Sequence, residues 1–375
     1  MERRIYLSSP TTYGEELKYI NEAFETNWLS PLGKNVNLFE LEMADYVGVN
    51  AAAALSSGTA ALHLSYILSN IKEGDTVLCQ DLTFAATIFP LKYVNANIVL
   101  VDSEYETWNM DPFALEKAFE KYPDAKAVVV VNLFGVPAKL DEIRDICDKH
   151  GVILIEDAAE SLGATYKGAQ TGTFGKYAAL SFNGNKIITT SGGGMLLSSD
   201  VEIIKKARYL SSQARESKVY YEHKEVGYNY RMSNIVAGIG RGQLLHLDDH
   251  IKRKSRLYNT YKESFSDVKE ITMNPYLPYT NPNFWLSCIL LDKDSKVTPM
   301  MIVDALSKEN IESRPIWNPM HNQPVFKDCD YITVGEQSVS NDIFNRGVCL
   351  PSDIKNTDED MKEIISIIKG LFKNV

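Results

Sequence analysis

An α/β fold is what the 375-residue sequence predicts, with a large domain on a parallel or mixed sheet and a smaller carboxy-terminal α+β domain. Three observations predict it. Short apolar runs of β type alternate with helical patterns, which is the signature of right-handed βαβ units. Those runs are apolar on both faces, as strands covered by helices on each side are. The chain is also longer than one hydrophobic core usually serves, and its pattern changes near residue 250.

In chain order, the first strong helical pattern is "SSGTAALHLSYIL", in which Ser57, Gly58 and Thr59 follow an alanine-rich stretch and open the helix. The runs "DTVLCQ", "ANIVLVDS", "AKAVVVVNLFG", "GVILIEDA" and "YAALSFN" read as buried strands. Between them lie helical segments such as Asp111–Lys121 and Lys139–Lys149. Asp111 and Pro112 give the first of these an N-cap followed by proline at the first helical position. A helical stretch from Ser233 to His246 precedes "DDHIKRKSR", which begins a connecting helix. The strands and helices that follow include "FWLSCILLD", "TPMMIVDALSKEN" and "DEDMKEIISIIKGLF", the last started by a capping box of Thr357 and Asp360. Residues 1–250 are therefore expected to form the large domain and 251–375 the small one.

Composition excludes several classes. The chain is 45% hydrophobic and 23% charged, as ordinary globular proteins are, and has no uninterrupted apolar run long enough to span a bilayer. The start, "MERRIYLSSP", has no apolar segment of the kind a secretory signal carries, so a cytoplasmic location is expected. Five cysteines, odd in number and free of C-x-x-C pairs, argue against a disulfide framework and against a metal site. A formal charge of −10 disfavours nucleic acid as a partner. Only a local basic patch for phosphates is left open.

Ligands of open α/β sheets collect beyond the carboxyl ends of the strands, and four such positions are chemically pointed. The N–H groups at Ser57, Gly58 and Thr59 hold a phosphate, or the segment is a plain helix cap. Asp157 ends "VILIED" beside two alanines; it caps a helix or pairs with a protonated ring nitrogen. After "VLCQ", Phe84 follows Asp81 and Thr83 as a core aromatic or one that stacks on a ring. Ser181 and Lys186 belong to "SFNGNKIITTSGGG", where the lysine is a solvated surface charge or a nucleophilic amine. Together these groups are what pyridoxal phosphate (PLP) needs: an amine for its aldehyde, a carboxylate for its pyridinium and donors for its phosphate. Lys186 follows Asp157 by 29 residues, and the ordered set favours the cofactor over a surface lysine.

Here the sequence resembles a known family, the fold-type I PLP enzymes of nucleotide-sugar biosynthesis called the DegT/DnrJ/StrS aminotransferases. The resemblance runs nearly end to end through "NWLSPLGKNVNLFE", "SSGTAALHL", "LTFAAT", "EDAAESLGATYKG", "SFNGNKIITTSGGGM", "GYNYRMSNIVAGIGRGQL", "RPIWNPMHNQPVF" and "GVCLPS". It implies an aspartate aminotransferase-like fold, Lys186 as the Schiff-base lysine, Asp157 as partner of the ring nitrogen, Phe84 as the stacking residue, and Gly58, Thr59 and Ser181 as phosphate ligands. Gly192, Gly193 and Gly194 would let the backbone pass closely. At Glu160 many relatives carry glutamine near the cofactor's 3-hydroxyl, where a carboxylate repels the phenolate unless it is protonated or turned to another donor. Asn229 resembles a residue that reaches the cofactor phosphate of the neighbouring subunit, which implies a homodimer with shared active sites; alternatively it satisfies a turn. A dehydratase branch replaces the lysine by histidine, so Lys186 implies transamination.

The resemblance further implies L-glutamate as amino donor and a keto sugar as acceptor, with Arg231, Trp317 and His321 as candidate substrate contacts. Arg231 would pair with a carboxylate or a diphosphate; Trp317 walls the sugar pocket or packs the domain junction; His321 contacts substrate or is structural. The nearest branch aminates C4 of a UDP-linked 4-keto-6-deoxy-N-acetylhexosamine on the way to bacillosamine-type sugars of glycans and exopolysaccharides. GDP- or dTDP-linked sugars, amination at C3, and a non-catalytic regulator that binds PLP or nucleotide sugar are the alternatives.

Overall fold

The computed structural model describes residues 3–373. Met1 and Glu2 of the amino-terminal stretch read for a targeting signal lie outside the described residues, as do Asn374 and Val375 of the expected small domain. An eight-stranded sheet organises the chain, in the order Ala51–Leu55, Gly194–Ser198, Tyr177–Ser181, Ile153–Asp157, Ala127–Val131, Thr76–Gln80, Asn97–Val101 and Asp330–Ile332. It is mixed. From Tyr177–Ser181 outward to Asp330–Ile332 every pairing is parallel, whereas Gly194–Ser198 runs antiparallel to both of its neighbours.

Alternate residues of each strand enter opposite cores. Ala52 and Ala54 pack with Phe39, Phe182 and Trp285 on one face, and Ala51, Ala53 and Leu55 with Leu62 and Tyr66 on the other. Alanine-rich "AAAAL" has low strand propensity, and its place between helices on both faces is what makes it a strand. The helix starts follow their expected chemistry. Ser57 Oγ accepts from Ala60 N–H at 3.0 Å, and Asp111 Oδ1 from Phe113 N–H at 2.8 Å. Thr357 and Asp360 cap each other: Asp360 Oδ2 accepts from Thr357 N–H at 2.7 Å, and Thr357 Oγ1 from Asp360 N–H at 3.2 Å.

A second sheet, antiparallel, joins Ile271–Met273, Ser287–Leu291, Gly347–Leu350 and Arg314–Pro315. It packs with the helices Leu247–Ser264, Pro299–Lys308 and Asp358–Lys373 around a separate core that includes Ile289, Ile302 and Ile364. Residue 250 falls inside the helix Leu247–Ser264, and the later chain returns to add Asp330–Ile332 to the large sheet. That return carries Trp317 and His321 toward the large sheet's strand ends. No helix among the described residues is long and apolar enough to cross a membrane. All five cysteines are free, and Cys288 and Cys349 face each other across paired strands.

Candidate active site: a lysine and two buried carboxylates at the strand ends

Seven strands run in one direction and deliver their carboxyl ends to one edge of the sheet, and the reversed strand Gly194–Ser198 brings its amino end there too. Its register pairs Gly194 with Leu55, so the glycine turn meets the start of the helix Gly58–Leu68. A side chain on Gly194 would collide with the Ser57 and Gly58 backbone, which is why the chain carries glycine there. A Cβ on Gly192 would meet nothing within 4 Å, so close passage in this chain explains Gly194 and not Gly192.

A cavity of about 310 Å³ opens at this edge. It gathers Ser57, Gly58, Thr59, Phe84, Asp157, Glu160, Ser181, Lys186 and Trp317 of the sequence-derived set. Lys186 is not a solvated charge. Its side chain is 12% exposed, and Nζ lies 3.4 Å from Glu160 Oε1 and 4.1 Å from the centre of the Trp285 ring. Trp285 is fixed in turn by its indole N–H, which donates to Asn185 O at 2.7 Å.

Asp157 ends its strand fully buried. Oδ2 accepts from Thr87 Oγ1 at 2.7 Å and Oδ1 from Ala159 N–H at 3.1 Å. Burial pushes its carboxyl above the usual range, although the Thr87 and Ala159 hydrogen bonds and Lys186 act the other way. A buried carboxylate on a cavity wall without a cation in contact is stabilised by any cation brought against it. A protonated pyridine nitrogen is such a group.

The helix Gly58–Leu68 begins at the same cavity. Ser57 acts as its cap, and the Gly58 and Thr59 N–H groups find no protein acceptor among the described residues. Cap and anion cradle are thus compatible here, since the cap uses the Ser57 side chain and leaves the N–H groups of the next two residues, which line the cavity, without a protein acceptor among the described residues. Phe84 is 57% exposed and its ring lies 5.5 Å from that of Trp317, so it is a wall residue and not core. Trp317 combines both of its expected roles: it lines the cavity and packs against Phe134 at 5.0 Å. The donor set, the Lys186 side chain on the cavity wall and the Asp157 carboxylate, which has no cation in contact among the described residues, fit PLP.

Three expected residues are not brought to the cavity. Arg231 Nη1 donates to Glu40 Oε1 at 2.7 Å and to Ala54 O at 3.0 Å, while Arg208 holds the other Glu40 oxygen and Ala52 O. Glu40 Oε1 also accepts from Ala54 N–H. Arg231 thus braces the edge strand Ala51–Leu55 and does not line the cavity, where its expected contact with a substrate anion would be made. His321 takes the structural one of its two expected placements. Its Nδ1 lies 2.7 Å from Asp81 Oδ2, its Nε2 lies 2.8 Å from Asn341 Nδ2, and its ring stacks on Tyr331 at 4.0 Å. With both ring nitrogens engaged, it anchors the returning segment to buried Asp81. Asn229 is exposed, and its backbone bridges Ser212 outside the cavity wall.

Three contributors went unread in the sequence: Thr87, Trp285 and Asn283. Asn283 is fully buried where three segments meet. Its Nδ2 donates to Glu160 O at 2.8 Å and Leu162 O at 2.9 Å, and its Oδ1 accepts from Trp285 N–H at 2.8 Å. Gly135, at φ 88°, passes so close that any side chain there would strike the Asn283 amide. Asn283→Ala leaves those groups buried and unpaired, so the denaturation midpoint should fall by an amount worth on the order of 3 kcal/mol. An unchanged midpoint would show that the junction does not depend on this amide.

The DegT/DnrJ/EryC1/StrS aminotransferase family model matches residues 10–369. The chain belongs to this family. Its cofactor is pyridoxal phosphate, and solved structures of the family share the fold-type I architecture. EpsN of Bacillus subtilis (strain 168), provisionally named a pyridoxal phosphate-dependent aminotransferase, is 48% identical over 380 residues, covering 100% of this chain and 97% of its own. GDP-perosamine synthase of Caulobacter vibrioides is 34% identical over 97% of each chain. UDP-4-amino-4,6-dideoxy-N-acetyl-beta-L-altrosamine transaminase of Campylobacter jejuni is 35% identical over 62% of each chain.

Proposed function

We propose that this enzyme transfers the amino group of L-glutamate to C4 of a UDP-linked 4-keto-6-deoxy-N-acetylhexosamine, for the synthesis of glycan or exopolysaccharide precursors. The supporting observation is the single cavity that presents the Lys186 amine, the Asp157 carboxylate and an open helix N-terminus together. PLP, when bound, supplies the electron sink and carries the amino group between the two half-reactions. Asp157, oriented by Thr87 and Ala159, holds the proton on the ring nitrogen. The Gly58 and Thr59 N–H groups and Ser181 hold the phosphate. Lys186 Nζ, once released as a free amine, would take the proton from Cα of the donor and would be the proton carrier for the amino-transfer step. In the second half it moves a proton in the opposite sense, toward the sugar carbon. Phe84 and Trp317 form an apolar wall that limits water at this place.

A C4 amine and a UDP carrier match the name of the Campylobacter jejuni relative, which aligns over part of the chain. The GDP carrier is the second reading, favoured by similarity to GDP-perosamine synthase over 97% of each chain. Side chains that read base and sugar hydroxyls set this choice, since apolar pocket differences give only about 10–200-fold selectivity. We also propose a homodimer with shared sites: Asn229 is exposed and outside its own chain's cavity lining, as a phosphate ligand for a second copy must be. The test presents UDP-, GDP- and dTDP-linked 4-keto sugars, and a 3-keto sugar, to enzyme converted by glutamate to the amino form. Return of the yellow colour with the UDP-4-keto sugar is expected. Return with a GDP or dTDP sugar alone, or the 3-keto sugar alone, overturns the UDP-C4 assignment, and no loss of colour with glutamate overturns transamination.

A further inference from the structure

We propose that Glu160 couples cofactor binding to proton uptake: it balances the Lys186 ammonium in the free chain and takes a proton from solvent when that ammonium is consumed. This rests on the reading that Lys186 is the residue that condenses with PLP.

The geometry around Glu160 is unusual for a carboxylate. The side chain is 4% exposed; Oε2 accepts from Phe134 N–H at 2.7 Å, and Oε1 faces Lys186 Nζ at 3.4 Å. Each element packed on it contributes little else. Its own turn brings Asp157, a second acid; the strand Ser287–Leu291 brings the Cys288 thiol, kept neutral by burial; and the turn at Phe134 offers only its backbone N–H. Lys186 is thus the one cation that faces it among the described residues. A carboxylate so placed keeps its charge only through that ammonium and one N–H.

Condensation removes the support. The lysine ammonium releases one proton to solvent, its nitrogen forms a C=N bond to the aldehyde carbon, its other two hydrogens leave with the aldehyde oxygen as water, and the positive charge is lost as the neutral imine forms. The ligand also brings an anionic phosphate into the same cavity. Glu160 then faces Asp157 and added negative charge, and the carboxylate gains a proton from solvent. As a neutral carboxyl it keeps the Phe134 N–H at Oε2 and gains an O–H to donate at Oε1. This answers the electrostatic objection to a glutamate here: the side chain becomes a hydrogen-bond donor when the cofactor is in place.

Burial already pushes the Glu160 carboxyl up to about 7 while Lys186 opposes the shift, so loss of the ammonium drives it higher. Uptake is therefore expected above about pH 7, where the free chain is ionised, and fades below it. Calorimetric titration of the cofactor-free enzyme with PLP, in two buffers of different ionisation enthalpy at about pH 8, counts the protons. The native enzyme should take up close to one more proton per chain than Glu160→Gln. Its affinity for PLP should also fall about tenfold per pH unit relative to that variant. Equal proton counts overturn the proposal.

Should Glu160→Gln fail to fold, Lys186→Ala serves instead. Without the ammonium its Glu160 is already protonated, so PLP binding should take up about one proton fewer than in the native enzyme, once the proton released on condensation is added back. An equal count overturns the proposal. Borohydride reduction of the native complex separates the two readings. A label away from Lys186 overturns both, whereas a label on Lys186 with equal proton counts overturns only the role of Glu160.

Discussion

Lys186→Ala abolishes amino transfer, lowering it on the order of 10⁴-fold, while the fold and the eight-stranded sheet persist. The lysine's backbone turn is closed by Asn183 O accepting from Lys186 N–H, a bond the alanine keeps. What disappears is the one amine among the described residues that lines the cavity, and with it the proton carrier for both half-reactions. Glu160 loses its partner and protonates, so the structural cost is small. Steady-state assays with glutamate, together with circular dichroism, check both halves of the statement. Turnover near the native rate would remove Lys186 from the mechanism. The same variant tests site sharing: mixed with inactive Asn229→Ala under subunit exchange, it should regain activity through hybrid dimers.

Asp157→Asn slows the glutamate half-reaction by about 10–1,000-fold, because loss of an opposite charge shifts the ring nitrogen by about 1–3 pKa units. The amide still accepts from Thr87, so the variant should bind cofactor. Its cofactor-free form should be at least as stable as the native chain near neutral pH. The sign follows from linkage. Burial raises the folded-state pKa of Asp157, so the folded chain binds a proton that the unfolded chain has released, and stability falls as pH rises through the folded value. Asparagine removes that loss. Rapid-mixing absorbance with glutamate and thermal unfolding across pH are the two measurements. An unchanged single-turnover rate contradicts the assigned role.

Much of the fold was legible because buried strands announce themselves as runs apolar on both faces, as in "AVVVV", and because caps such as Ser57, Asp111 and Thr357 are local chemistry. The strands Ala51–Leu55 and Asp330–Ile332 were not legible: one is alanine-rich, and the other is three residues of mixed polarity that pair only through the tertiary return of the chain. The site divides in the same way. Asp157, Lys186 and the Ser57–Thr59 turn could be read because strand ends and chain order placed them together.

The partners of Arg231 and His321, Glu40 and Asp81, were not legible because they are 191 and 240 residues away. A strand-end cation looks the same in sequence whether it meets a substrate or a buried acid. Asn283 and Trp285 escaped for a related reason. They come from the opposite side of the cavity, on a segment whose apolar pattern announced only a strand.

The most direct measurement is chemical trapping of the loaded enzyme. Reduction of the PLP complex with borohydride, followed by proteolysis and mass mapping, should place the pyridoxyl group on Lys186. A label on any other lysine, the buried Lys254 beneath the same loop included, contradicts the account.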